Sequence, residues 1–192
     1  MYSIGYATKP LPDYLDQLAQ QGINVVADVR SVPYSKTFHD YNRETFQAHL
    51  KRAGVRYVYL GQELGPRSKS PAHYNSDNQV QFDRLMTSPL FIAGIERLKQ
   101  GIDKGYTIAL HCAEKDPATC HRSLLVGWSL RHQYNLELTH IRHNGGLETQ
   151  SGLEARLMTL TDTLPDMLLN ETEAMRLAYR RQCLICAYKI PP

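Results

Sequence analysis

The chain has 192 residues, 42% of them apolar and 21% charged, with a formal net charge of +3 and a pI near 8.6. That length suits one domain, or one domain with a helical tail. The charge is too weak for a histone-like polyelectrolyte, but it suits phosphate-bearing ligands. No apolar run approaches the roughly 18 residues that span a bilayer, and the N-terminus lacks the basic-then-apolar layout of a secretory signal. A soluble cytoplasmic protein with no membrane partner is expected.

Residues 2–6 read as a short strand ending in a polar turn. Pro10 opens a helix on which Leu11, Tyr14, Leu15 and Leu18 recur at helical spacing, and Gly22 stops it. Residues 24–29 are β-branched and nearly continuous in apolar character, as a strand buried on both faces should be. A polar and aromatic loop follows to Tyr41. Asn42 then caps a helix carrying Phe46, Leu50 and Ala53, closed by Gly54. Residues 55–60 are a third strand, followed by an irregular stretch over 61–78, long enough to suggest a functional lid or wall.

Helical periodicity returns over 80–86, and Ser88-Pro89 marks the start of a longer helix to Lys104. Residues 106–112 are a fourth strand. Asp116-Pro117 repeats the cap-and-proline signature and predicts a helix through Trp128 to about His132; residues 136–141 are a fifth strand. Beyond Gly145-Gly146 the pattern is helical only, over about 153–160 and 171–182. The alternation predicts an α/β fold: a single three-layer domain, mainly parallel, of about five strands with helices on both faces. The expected division is an α/β domain at 1–145 and a packed helical C-terminal extension at 146–192. Oligomeric state is not readable from these patterns.

Ligands of open parallel sheets sit beyond the carboxyl ends of the strands. The segment HCAEKDPATCHR, from His111, is the densest such end. Glu114, Cys112 and Asp28 are the candidate catalytic groups: an acid or base, a thiol nucleophile or wall, and a strand-terminal carboxylate. Arg30, Ser35, Thr8, Cys120, His121 and Arg122 are the candidate ligand-binding groups, with Arg30 and Arg122 as anion holders. A helix N-terminus here would favour an anion and acidify a thiol. Nine residues separate Cys112 from Arg122, too many for the five-residue cradle of protein tyrosine phosphatases. Tyr34, Lys36, His39 and Tyr41, with Arg67, Lys69, His73 and Tyr74, give two basic, aromatic loops of the kind nucleotides or single strands favour. Cys183 and Cys186 form one C-x-x-C, a weak metal signal, since zinc normally takes four ligands. No cofactor motif is found.

Taken together these motifs resemble the family known as domain of unknown function 488. Its members open with a Thr-Ile-Gly-His-Ser-like strand end, continue with Asp-Val-Arg and Pro-x-Ser, and later carry Cys-x-Glu leading to Cys-His-Arg. Here they stand as SIGYAT at 3–8, DVRSVPYS at 28–35, LG at 64–65 and CAEKDPATCHR at 112–122. The resemblance runs over about residues 1–142. It implies an α/β fold with a site at Asp28, Arg30, Ser35, Cys112, Glu114, Cys120, His121 and Arg122, and names no reaction. Tyr6 and Ala7 stand where the family more often has His and Ser, leaving Thr8 to supply a hydroxyl.

Three functions follow as expectations. The first is an enzyme acting on a phosphorylated or nucleotide-like ligand at the sheet edge. The second is a non-catalytic nucleic-acid or nucleotide-binding module. The third is a metal protein using Cys183, Cys186 and a motif cysteine.

Overall fold

Short runs of β-branched and aromatic residues build the sheet. In the computed structural model, which describes residues 1–191, these are β1 (Tyr2–Gly5), β2 (Val25–Asp28), β3 (Arg56–Tyr59), β4 (Ile108–Cys112), β5 (Thr139–Ile141) and β6 (Leu147–Thr149). They form one sheet in the order β3-β2-β4-β1-β5-β6. The first five are parallel, and β6 runs antiparallel to β5. Every residue of β2 and β4 is buried, as expected of central strands covered on both faces.

Helices cover both faces: α1 (Leu11–Gln20) and α2 (Arg43–Arg52) on one, and α5 (Pro89–Asp103) and α8 (Glu171–Cys186) on the other. Side chains alternate along β4, so Ile108, Leu110 and Cys112 pack with Phe91, Ile95 and Ala178, while Ala109 faces Tyr14, Leu18, Phe46 and Leu50. His111 also points to that second layer, stacked on Phe46 at 4.5 Å. Ser88 caps α5 by accepting from the Phe91 amide, and Asn170 with Glu173 closes a capping box on α8. The α/β fold, the three layers and the helical C-terminal segment are as the periodicity predicts.

Three local expectations are corrected. The segment after Gly146 is not helical throughout: β6 joins the sheet edge before α7 (Gln150–Leu160), and only three residues long it carries no alternation to detect. Residues 61–78 are not wholly irregular, because α3 (Gly61–Leu64) and a 3₁₀ turn at Pro71–His73 interrupt them, ahead of α4 (Phe82–Met86). No helix runs on from Asp116-Pro117. The Asp116 carboxylate accepts from the Ala118 amide and closes a single 3₁₀ turn, Pro117–Thr119. Cys120 is then extended (φ −125°, ψ 141°), and the helical segment begins at Arg122 with a wide π-type turn, Arg122–Gly127, leading into α6 (Trp128–Tyr134).

The C-terminal segment packs on the domain. Its Tyr188 carbonyl accepts from the Val80 amide, and the Ile190 amide donates to the Asn78 carbonyl, both at 2.9 Å. No helix of the described residues is long and apolar enough to cross a membrane.

The topology opens a crevice between β2 and β4. The connection leaving β2 turns toward β3 through α2, and the one leaving β4 passes over β1 toward β5 through α6 on the opposite face. Neighbouring strands whose chains diverge in this way leave a gap at their carboxyl ends.

Candidate functional site at the carboxyl edge of the sheet

A cleft of about 370 Å³ fills that gap. Arg30, Ser31, Val32, Tyr34 and Ser35, after β2, form one wall. Cys112, which ends β4, and Ala113, Glu114, Thr119 and His121, which follow it, form the other. Tyr6 closes the β1 side, and Pro66, Arg67, Phe82, Cys186 and Tyr188 close the far end. The long loop after β3 and the C-terminal segment are thus both cleft walls.

Arg30 is held rigidly. Its Nε donates to Asp28 Oδ1 at 2.9 Å and its Nη2 to Asp28 Oδ2 at 2.6 Å, leaving Nη1 directed at the Tyr6 hydroxyl, 3.3 Å away. Asp28 also accepts from the Arg30 amide and from the Tyr57 hydroxyl. Burial works against its charge, but the Arg30 hydrogen bonds and nearby groups hold its carboxyl below the usual carboxylate range. With its oxygens occupied and itself fully buried, Asp28 orients Arg30 and does not line the cleft. Tyr6 stacks on Tyr41 (centroids 4.4 Å apart, 16° between planes) and lies under the Arg30 guanidinium, 5.2 Å from the ring centre.

The opposite wall carries two thiols, a carboxylate and an imidazole. The Cys112 and Cys120 thiols both donate to Glu114 Oε2, at 2.8 and 2.9 Å. His121 Nδ1 lies 3.6 Å from the Cys112 sulfur and 4.0 Å from that of Cys120, while its Nε2 donates to the Val29 carbonyl at 2.9 Å. One polar atom from each of the four lies within 4.8 Å of the others. Glu114 is exposed as a residue, yet its carboxylate reaches inward between two buried thiols, and burial together with Cys120 raises its pKa. Burial pushes the Cys112 thiol up as well. At Cys120, burial is outweighed by the neighbouring Cys112 thiol and by the charges of Arg122 and His121, so this thiol is the acidic one. Burial opposes the charge of His121, but Cys120 and Glu114 prevail and raise its pKa.

The structure brings Arg30, Ser35, Cys112, Glu114 and His121 to the cleft, with Cys120 directly behind Glu114. Ser35 caps its own turn, its hydroxyl accepting from the Thr37 and Phe38 amides. Arg122 does not face the cleft, in contrast to the anion-holding role expected of it. It is fully buried and donates to the carbonyls of Glu114 (2.6 Å) and Lys115 (3.4 Å), clamping the loop from behind. Thr8 is exposed in the turn after β1, at φ 60°, and lines no part of the cleft.

The expected pairing of Cys183 with Cys186 does not form a ligand set. Cys186 faces the cleft, whereas Cys183 lies in a separate groove beside Tyr179 and Trp128. Tyr6, Ser31 and Tyr188 escaped the sequence reading as wall residues. Tyr6 alone left a signal, as a departure from the family motif.

No curated protein and no solved structure matches the chain. Residues 10–129, well over half of the 192, match the family described as Domain of unknown function DUF488, and the chain belongs to that family.

Proposed function

We propose that the cleft binds a small phosphate-bearing, nucleotide-like ligand and that the protein is an enzyme acting on it. The observation that carries this reading is Arg30, whose guanidinium is fixed by Asp28 and lines the cleft with its remaining nitrogen beside the Tyr6 hydroxyl. A pre-oriented guanidinium loses little entropy when it holds an anion. Arg67, lying over the Tyr188 ring at 4.7 Å, supplies a second cation at the far end. The Tyr34 and Tyr188 side chains, which also line the cleft, offer aromatic surface for a planar group.

Glu114 is the acid or base of this reading, because a raised carboxyl pKa brings proton exchange nearer neutral pH. Cys112, pushed up by burial, serves as wall in preference to nucleophile. Four free cysteines, two of them buried at the site, fit a reducing compartment, and we assign the protein to the cytoplasm.

The nucleic-acid reading has less support. Tyr41 is buried against Tyr6, His73 and Tyr74 are tied to Ser68, and Lys36, His39 and Lys69 do not line the cleft. The two loops therefore bring only part of their basic and aromatic groups to the cleft.

Calorimetric titration with nucleoside mono- and diphosphates and inorganic phosphate tests the proposal. Binding should fall at least about tenfold in Arg67→Ala, the loss of one charge-assisted contact. Glu114→Gln should retain binding and lose turnover of the bound compound. Affinity weaker than about millimolar for every phosphate compound would remove the reading.

A further inference from the structure

We infer that Cys112, Cys120, His121 and Glu114 form a tetrahedral binding site for a divalent transition-metal ion, zinc by preference. The inference needs no organic ligand; it shares Glu114 with the phosphate reading, as a metal ligand when the ion is bound and as acid or base when it is absent.

Two thiolates, an imidazole and a carboxylate are a donor set suited to zinc. Bond lengths of about 2.0–2.3 Å in a tetrahedron place ligand atoms roughly 3.3–3.8 Å apart. The sulfur-to-Nδ1 separations of 3.6 and 4.0 Å lie close to that spacing. Glu114 Oε2, at 2.8 and 2.9 Å from the sulfurs, need only move outward by about half an ångström on its exposed stem to fill the fourth corner.

The second layer of contacts points the same way. The Val29 carbonyl only accepts, so its partner, His121 Nε2, carries a hydrogen, and it is Nδ1 that faces the sulfurs as the ring's metal-binding atom. Ligating histidines are commonly fixed by such a bond from the other ring nitrogen. Without an ion, a carboxylate oxygen and an imidazole nitrogen converge on the same buried space with two thiol protons between them, both already directed at Oε2. A cation satisfies all four donors at once.

Two thiolates and a carboxylate bring three negative charges against two positive ones. The Arg122 guanidinium, buried behind the loop and bonded to the Glu114 carbonyl, offsets the remainder. This gives a purpose to a buried arginine that otherwise serves only two carbonyls. Access is through the cleft, which Cys112, Glu114 and His121 all line. On binding, the two thiol protons leave to solvent and the ion ties the end of β4 to the start of the π-type turn.

The test uses the full chain, purified reduced and without metal-affinity chromatography. Elemental analysis should find one zinc per chain. After chelation, cobalt(II) should restore a tetrahedral visible spectrum with a thiolate-to-cobalt charge-transfer band. The Cys183→Ser/Cys186→Ser variant should keep both signals, and Cys120→Ser should lose most of the charge transfer and bind more than about tenfold more weakly. Trace metal and no charge transfer in the reduced wild-type chain would overturn the inference, whether or not the cysteine variants fold. So would a charge-transfer band unchanged in Cys112→Ser/Cys120→Ser. Titration of nucleotides into chelated protein is read separately, so failure of the metal site and failure of the phosphate reading are distinguishable.

Discussion

Asp28 holds Arg30 by two parallel hydrogen bonds, Oδ1 to Nε at 2.9 Å and Oδ2 to Nη2 at 2.6 Å, at the point where β2 opens into the cleft. Both partners are buried, with side chains 0% and 5% exposed. Burying such a pair brings little net stability, because desolvation consumes most of the attraction. Its effect is geometric: a cation beside the cleft with a single orientation.

Removing one partner should therefore be expensive where removing both is not. Asp28→Ala leaves a buried guanidinium without its counter-charge, and a loss of about 3–5 kcal/mol is expected from urea denaturation. Asp28→Leu with Arg30→Met should lose far less, while abolishing phosphate binding. The folded-state pKa of Asp28 is depressed, so its contribution is complete above the unfolded value near 3.8 and is lost as pH falls through the lower folded value. A single Asp28→Ala variant as stable as wild type would show that the pair orients nothing.

Acid sensitivity at milder pH should come from two other groups. His111 Nδ1 shares a hydrogen bond with the Tyr14 hydroxyl at 2.8 Å, and His140 bridges Ser3 and Gln150 at 2.6 and 2.9 Å. Burial lowers both pKa values to about 3. Below about pH 6.5 the unfolded chain binds protons that these folded histidines refuse, so stability falls with pH, by up to about 1.4 kcal/mol per unit for each. In the chelated chain His121, whose folded pKa is raised, adds stability that is already complete below 6.5 and does not change this slope, so the profiles are compared without metal. His111→Phe should remove one histidine's share of the slope between roughly pH 4 and 6, whatever its effect at neutrality. Parallel stability profiles for variant and wild type would exclude His111 as the source.

Thr8 sits at φ 60°, a left-handed conformation that is strained for a β-branched residue. Its side chain lines no cleft wall. Thr8→Gly should therefore raise stability, by about 1 kcal/mol, and leave phosphate and metal binding unchanged. Loss of either binding in this variant would return Thr8 to the site as a functional hydroxyl.

The elements legible in the sequence were those that local chemistry dictates. β2 is buried on both faces and reads as a nearly continuous apolar run, and Ser88-Pro89 caps α5 as its pattern predicts. The same signature at Asp116-Pro117 misled, because Asp116 caps only one 3₁₀ turn before Cys120 extends. Local preference does not reveal that the extension brings Cys120 to Glu114. Tyr188 reaches the cleft through backbone pairing with Val80, a contact between distant residues that leaves no periodic trace. Arg122 shows the opposite failure: its position near a helix start suggested an anion, whereas complete burial turns its donors onto the Glu114 and Lys115 carbonyls.

Gly5 governs where that loop lies. A Cβ at this position would stand 1.9 Å from the Glu114 carbonyl oxygen and 3.0 Å from Arg122 Nη1. Its backbone φ is not left-handed, so the requirement is for space alone. The Tyr6 and Ala7 amides continue the β1–β4 pairing onto the Cys112 and Ala113 carbonyls at 3.1 and 2.8 Å, leaving the loop little freedom to retreat. Gly5→Ala must then push the Glu114 backbone away from β1 and disturb its bond to Arg122. Overpacking of this kind costs about 1–3 kcal/mol, expected as a lower denaturation midpoint. The displacement should also weaken zinc retention and turnover together, because Glu114 serves both, while phosphate affinity at Arg30 and Arg67 changes little. Wild-type stability with intact zinc retention in Gly5→Ala would mean that the loop is positioned by something other than this close approach.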